Sequence, residues 1–304
     1  MHSFGHYPVF WRNVKQLVQQ QALTREFLFA DGTLGGGGHS AVILESFPNA
    51  YVVGTDVDSE AVKRAAKNLE PFSSRTSLAH SSYTDLHKLP RFPEVFGPNK
   101  QFDFVLLDLG MSSYQLDAHD RGFSFTNEGP LDMRFDQSDA TSADCYKLVN
   151  FASEYELREI FKRFGEEKLY RELANNIAVY RKEKKITSTT QLAEIFQFTF
   201  LKAKVPNRFR SVTRSFQALR IAVNKELDNI ARFCDSILPH VAPSGVLMFI
   251  SFHSLEDNIV NSKLVDWHWS GRANYPTREP VTPSDEEMAE NSRSHSAIFR
   301  YAIK

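Results

Sequence analysis

The stretch Phe27–Ser40, Phe-Leu-Phe-Ala-Asp-Gly-Thr-Leu-Gly-Gly-Gly-Gly-His-Ser, constrains the fold more than any other part of the chain. Phe27–Ala30 reads as a short buried strand ended by Asp31, Gly35–Gly38 as a turn, and His39–Phe47 as the first turns of a helix. Strand, glycine turn and helix make a ligand site at the carboxyl ends of the strands of a parallel α/β sheet. Glycine suits such a turn because it accepts φ > 0 without a Cβ penalty and lets a ligand approach the backbone. The dinucleotide fingerprint G-x-G-x-x-G fails in register, since Ser40 stands where the third glycine would fall, and no Gly-Lys-Ser/Thr closes the run as a phosphate loop. A nucleoside cofactor that is not held through its phosphates fits better.

The pattern then repeats. Tyr51–Thr55 is a second strand ending on Asp56, about 20 residues past the glycines, where a carboxylate can accept from both ribose hydroxyls. Ser59–Leu69 reads as a helix with Ser59 as its N-cap, and Thr76–Ala79 as a third strand with Tyr83 just beyond it, able to cover an adenine ring or simply to pack. Phe102–Asp108, Phe-Asp-Phe-Val-Leu-Leu-Asp, is a central strand by its unbroken apolar run. A carboxylate at the end of such a strand is expensive to bury for packing alone, so Asp108 is a candidate site residue. Further on, Val246–Ser251 is a fifth strand, entered through Pro243-Ser244-Gly245 and followed by His253-Ser-Leu-Glu-Asp257 at the start of a helix. Val9–Leu23 suggests a helix packed on the sheet, Thr277–Glu290 a surface loop, and Ala297–Ala302 an edge strand.

Between the fourth and fifth strands the character changes. Leu116–Phe135 lacks helical period and reads as an ordered loop, whereas Ser142–Phe200 is helical throughout, with a capping box at Ser153-x-x-Glu156 and apolar faces at helical spacing. The boundaries this suggests are 1–117 with 216–304 for a sheet domain and 118–215 for an inserted, mainly helical domain. Lys202–Arg220 holds six basic residues and no acidic one, with Phe209 and Phe216 interleaved, which points to a polyanion at Arg208, Arg210 and Arg214. Phe216–Val241 reads as one long amphipathic helix, with Leu219, Val223, Leu227, Ile230, Phe233, Ile237 and Val241 on its stripe.

Bulk properties exclude more than they assign. A net charge of −1 over 304 residues gives no global attraction to nucleic acid, so any such argument must be local. Two cysteines, Cys145 and Cys234, suit a reducing cytoplasm and offer neither a disulfide framework nor metal-ligand spacing, so no metal is expected. Neither a secretory signal in Met1–Gln20 nor an apolar run near the ~20 residues that span a bilayer is visible, so no membrane partner is expected.

Taken together, Asp31-Gly-Thr-Leu-Gly-Gly-Gly-Gly-His-Ser40, Leu107-Asp-Leu-Gly-Met-Ser-Ser-Tyr-Gln-Leu-Asp117, Arg121-Gly-Phe-Ser-Phe125, Gly129-Pro-Leu-Asp-Met-Arg-Phe-Asp136, Arg214-Ser-Phe-Gln-Ala-Leu-Arg220 and Ser251-Phe-His-Ser-Leu-Glu-Asp257 resemble the motifs of the methyltransferase H (MraW) family. These are the bacterial 16S rRNA (cytidine-N4) methyltransferases, and the resemblance runs from His6-Tyr-Pro-Val9 to Asn291–Ala297. It implies a class I fold that uses S-adenosylmethionine, with an inserted helical domain, acting on a cytidine N4 in the decoding region of 16S rRNA within the small ribosomal subunit; a homodimer is compatible with it. Carried over by motif, the cofactor contacts are Gly37, Gly38, His39, Asp56, Tyr83, Asp108 and Gln115, and Asp108 or His253 is the acceptor for the target amine. This chain departs in having Gly35-Gly36 for Gly-Arg, Tyr83 for Phe, and Asn291-Ser-Arg-Ser-His295 for Asn-Pro-Arg-Ser-Arg. Asp108 is followed by Leu-Gly-Met, without the proline pair common in amino-methyltransferases of bases. A nicotinamide oxidoreductase would require the missing third glycine, and a non-catalytic RNA-binding module would have no use for carboxylates at three strand ends.

Overall fold

The computed structural model describes residues 7–21, 24–276 and 279–304. His6 of the first motif, Leu23 of the first expected helix and Thr277 of the expected loop lie outside the described residues. The strands are β1 (Phe27–Asp31), β2 (Ala50–Asp56), β3 (Thr76–His80), β4 (Phe102–Asp108), β5 (Val241–Ser251) and β6 (Ile298–Ile303). They form one sheet in the order β3-β2-β1-β4-β5-β6, parallel except for β6, which runs antiparallel at the edge. This is a doubly wound α/β sheet whose order reverses between β1 and β4, the place where such sheets open a crevice for ligands.

The helices in chain order are α1 (Trp11–Gln20), α2 (Gly38–Ser46), α3 (Ser59–Asn68), α4 (Pro93–Phe96), α5 (Ser113–Asp117), α6 (Cys145–Phe151), α7 (Glu154–Arg163), α8 (Tyr170–Glu183), α9 (Thr189–Lys202), α10 (Arg208–Asn224), α11 (Glu226–Ile237), α12 (Ser254–Trp269) and α13 (Asp285–Glu290). The chain divides into two compact units, one running to Gly110 and resuming at Leu227, the other Met111–Glu226.

In the sheet unit the period of two along each strand sorts side chains to opposite faces. Phe27, Phe29, Val52, Phe104, Leu106, Met248 and Ile250 enter one core with α1, α2 and α3. Leu28, Ala30, Val53, Val105, Leu107, Leu247 and Phe249 enter the other with α11 and α12. The register pairs Phe29 with Phe104 and Ala30 with Val105, so each face is continuous across the switch point. Both faces being covered explains why these strands read as unbroken apolar runs. Among the described residues no helix is long and apolar enough to cross a membrane.

The helical unit has its own core, built from Leu157, Phe161, Leu173, Ile177, Leu192, Phe196, Phe200, Val212, Phe216 and Leu219 among others. The expected continuous helicity of Ser142–Phe200 resolves into four helices, α6 to α9, each begun at a new cap or turn; Ser153 and Glu156 form the capping box of α7.

The structure corrects several sequence expectations. Phe216–Val241 is not one helix. Lys225 takes a left-handed conformation (φ 51) between α10 and α11, and Val241 begins β5. Asn224 drives the break by donating to the Met133 carbonyl and accepting from the Phe135 amide, bonds that hold the end of α10 to a loop. The apolar stripe stays in phase across the break, which hides it. The N-cap of α3 is Asp58, not Ser59: its carboxylate accepts from the Glu60 amide. Thr277–Glu290 includes α13, whose buried Glu287 accepts from the Phe10 amide.

Candidate functional site

Three carboxylates mark the carboxyl ends of neighbouring strands: Asp31 on β1, Asp56 on β2 and Asp108 on β4. β1 can turn away sharply because Gly32 lacks a side chain; a Cβ there would lie 2.3 Å from Leu107 Cδ2. The turn ends at Gly37, left-handed with φ 82, which caps α2 and would bring a Cβ to 3.1 Å from Leu69. The N-terminal amides of a helix lack intrahelical acceptors, so α2 starts with donors available at the crevice.

Asp31 is wholly buried and organises the turn. Its Oδ2 accepts from Ser40 Oγ at 2.7 Å and its Oδ1 from the Thr33 amide at 3.3 Å. Burial pushes the Asp31 carboxyl above its ordinary range, opposed by His39 and by the Ser40 hydroxyl. Thr33 in turn accepts the Asp108 amide on its hydroxyl at 2.6 Å, tying the β1 turn to the end of β4. Thr33 and Ser40 were not singled out from the sequence. The Asp-x-Thr spacing of an Asx turn was the available signal for Thr33.

Asp56 accepts one backbone N–H on each oxygen, from Gly35 at 2.8 Å and Asp58 at 2.9 Å. Burial pushes its carboxyl up to about 6, against those two bonds. Each carboxylate oxygen keeps a further lone pair, enough for two incoming hydroxyls.

His39 and Asp108 form the least satisfied corner. His39 is 5% exposed, and neither ring nitrogen has a hydrogen-bond partner. Its Nε2 stands 3.5 Å from Asp108 Oδ2, longer than a good hydrogen bond, and Asp108 Oδ1 is buried without a partner. Buried polar atoms are normally paired, so this corner is shaped for polar groups supplied by a ligand. Asp56 and Asp108 both offer acceptor oxygens, so the crevice suits a ligand that brings hydroxyl or ammonium donors.

The other expected site residues are placed as follows. Gly38 opens α2. Tyr83 begins a short 3-10 turn after β3 and packs edge-on against Phe233, ring centroids 5.6 Å apart, so much of its ring belongs to the core. His253 caps α12 and lies past the end of β5; its Nδ1 accepts from the Glu256 amide at 3.4 Å and its Nε2 is 3.1 Å from Glu256 Oε1. Nδ1 is therefore engaged with the first turn of α12, while Nε2, though close to Glu256, has no hydrogen-bond partner among the described residues. Gln115, in the helical unit, is buried and commits its carbonyl to a capping box with Ser112.

The basic run is compensated in part, contrary to the expectation of six positives without a carboxylate. Arg214 reaches buried Glu167 at 2.7 Å, and Arg220 forks onto Glu226 at 2.8 and 2.9 Å. Both carboxylates lie outside the run in sequence, which is why the segment alone could not reveal them. Arg208 and Arg210 are exposed and have no carboxylate partner among the described residues.

A family model described as the MraW methylase family matches residues 3–304. The ribosomal RNA small subunit methyltransferase H of Syntrophus aciditrophicus is 40% identical to this chain over 296 residues, covering 90% of each. The protein of that name from a Sulfurihydrogenibium species is 38% identical, covering 94% of this chain and 95% of its own. The one from Lawsonia intracellularis is 37% identical, with coverage of 98% and 99%.

Proposed function

The chain belongs to the MraW methylase family, and we propose on that premise that it transfers a methyl group from S-adenosylmethionine to N4 of a cytidine in the decoding region of bacterial 16S rRNA. The observation that carries this reading is the set of carboxylates at the ends of β1, β2 and β4, beside the switch point of a chain that matches the family over its length. We further take its working context to be the small ribosomal subunit in the cytoplasm.

When bound, S-adenosylmethionine supplies an electrophilic methyl group on a sulfonium. Asp56 would hold the ribose hydroxyls on its remaining lone pairs, and the first amides of α2, from Gly38 onward, would be donors for the amino-acid portion. Tyr83 would supply the aromatic neighbour of the adenine. Asp108, with Oδ1 unpaired, holds the ammonium or accepts a hydrogen from the target amine. The family resemblance also assigns a cofactor contact to Gln115, in the motif after β4.

Cytosine N4 is a weak nucleophile because its lone pair is delocalised into the ring. The chain therefore contributes chiefly orientation, holding the amine in line with the methyl group. Accepting an amine hydrogen favours a pyramidal nitrogen, and the proton lost after transfer can pass to a carboxylate or to water. The target base must first leave its stack, as for other base-modifying enzymes. His253 caps α12 through Nδ1 and keeps Nε2 without a hydrogen-bond partner, so it is the second candidate acceptor for that proton.

The direct test is incubation with labelled S-adenosylmethionine and small subunits lacking the modification, followed by mapping of the labelled nucleotide. A single N4-methylcytidine in the decoding region is expected. Label on another base, or on a protein, would overturn the reading.

A further inference from the structure

Within the helical unit, α9 and α10 enclose an open groove of about 850 Å³, lined by Phe125, Phe198, Leu201, Arg208 and Phe209, among others. Phe198 is 59% exposed, Leu201 57% and Phe209 66%, so large apolar side chains stand in water along one continuous feature. Grouped exposure of this kind marks a binding surface.

Phe209 is joined to the core of the unit through a series of rings. Phe209 packs on Phe125 at 5.5 Å, Phe125 on Phe216 at 4.8 Å, and Phe216 on Phe196 at 5.7 Å. The series runs from the core of the unit to its surface and gives Phe209 a ring to pack on while most of its own surface stays exposed.

Charge selects the occupant. Lys202, Lys204, Arg208 and Arg210 are exposed around the α9–α10 turn and have no carboxylate partner among the described residues. On the groove wall itself Arg208 is the cation and Glu194 the carboxylate; Lys202, Lys204 and Arg210 stand exposed just outside the lining, at the turn. Arg208 and Arg210 also occupy the first turn of α10, which has no acidic residue there. Cations at a helix N-terminus oppose the macrodipole, so the arrangement is unfavourable for folding and improves when an anion arrives. Exposed aromatic faces among unpaired cations suit single-stranded nucleic acid, where bases stack and phosphates meet the charges.

We propose that this groove binds an unpaired stretch of the RNA substrate, with bases stacked on Phe198 and Phe209 and the backbone tracked by Lys202, Lys204, Arg208 and Arg210. The proposal rests on rRNA being the substrate. It adds a second foothold for that RNA, contained in the helical unit.

The test uses the full chain and a short single-stranded RNA carrying 2-aminopurine, whose fluorescence falls on stacking. The F198A/F209A variant should bind at least about tenfold more weakly and lose the quenching, with its salt slope unchanged. The R208Q/R210Q variant should keep the quenching at low salt while the slope of log K against log salt falls by about 1.4, two phosphates' worth. Circular dichroism and calorimetric affinity for S-adenosylmethionine should match the wild type in both variants. Unchanged RNA affinity and quenching in F198A/F209A overturn the groove. So does a loss of small-subunit methylation with free-RNA binding intact, which points to a ribosomal protein as the occupant. Wild-type methylation of small subunits, scored in parallel, tests the substrate reading separately.

Discussion

Asp56 combines two properties that together give a pH signature. Burial holds its carboxyl up to about 6, and only the ionised form offers acceptors to both ribose hydroxyls. Because this acid is raised above its unfolded value, the proton is favoured in the folded protein. Acceptor capacity is therefore complete only well above pH 6, half gone at about 6 and lost as pH falls further. Calorimetry should show affinity for S-adenosylmethionine declining below that point, and an Asp56→Asn variant should be weaker at neutral pH with the decline flattened. The Asp56→Ala variant should lose roughly 2–4 kcal/mol, two charge-assisted bonds. Unchanged affinity in a folded variant would remove Asp56 from the ribose. Asp108 divides differently. If it pairs with the ammonium, Asp108→Asn lowers cofactor affinity by ~1.5–3 kcal/mol and leaves the saturated rate near normal. If it accepts from N4, affinity holds and the single-turnover rate falls by ~10²-fold or more. The unpaired Oδ1 supports a site role either way, and normal values of both quantities would exclude it.

The turn from β1 into α2 depends on glycines for two separate reasons, which substitution can tell apart. Gly32→Ala would drive a methyl group into Leu107, so a loss of about 1–3 kcal/mol in urea unfolding is expected. Gly35→Ala meets open space at φ 51 and should cost only the backbone strain of about 1–2 kcal/mol. A Gly32→Ala protein as stable as wild type would show that β1 and β4 can separate locally. In α10 the cations also differ in kind. Arg214→Ala leaves the buried Glu167 carboxylate without its partner, whereas Arg208→Ala and Arg210→Ala release only solvated charge. Urea unfolding should therefore show a loss of roughly 1–3 kcal/mol for Arg214, discounted for its partial exposure, and no loss, or a gain of less than about 0.5 kcal/mol, for the other two. Equal losses at all three would mean that the pair with Glu167 contributes nothing.

The two compact units have separate apolar cores, and the residues assigned to ribose and ammonium lie in the sheet unit. A ligand that binds only the folded state adds stability of about 2.7 kcal/mol at 100 times its dissociation constant. Hydrogen exchange with saturating S-adenosylmethionine should therefore show its main gain in protection at the ends of β1, β2 and β4 and the start of α2. The amides of α7 and α8 should change little. Equal protection throughout the helical unit would mean that the cofactor stabilises the whole chain as one cooperative body.

Much of this was legible in the linear chain because strand ends and glycine turns are local. The apolar runs of β1 and β4, their terminal Asp31 and Asp108, and Asp56 after β2 each announce themselves within a few residues, and the motifs carry the family. Folding alone decided what depends on partners far along the chain. The break at Lys225 follows from Asn224 bonding to Met133 and Phe135, about ninety residues upstream in sequence and invisible to a periodicity that stays in phase. The pairing of Arg214 with Glu167 turned part of a basic run into an ion pair. That His253 caps α12 through Nδ1 needed the actual geometry of α12, since a histidine before a helix reads equally well as cap or catalyst. The exposed rings of Phe198 and Phe209 form one groove only because α9 and α10 pack side by side. Local chemistry is written in the order of residues; compensation and adjacency arise from tertiary contacts, which burial and hydrogen bonding select across the chain.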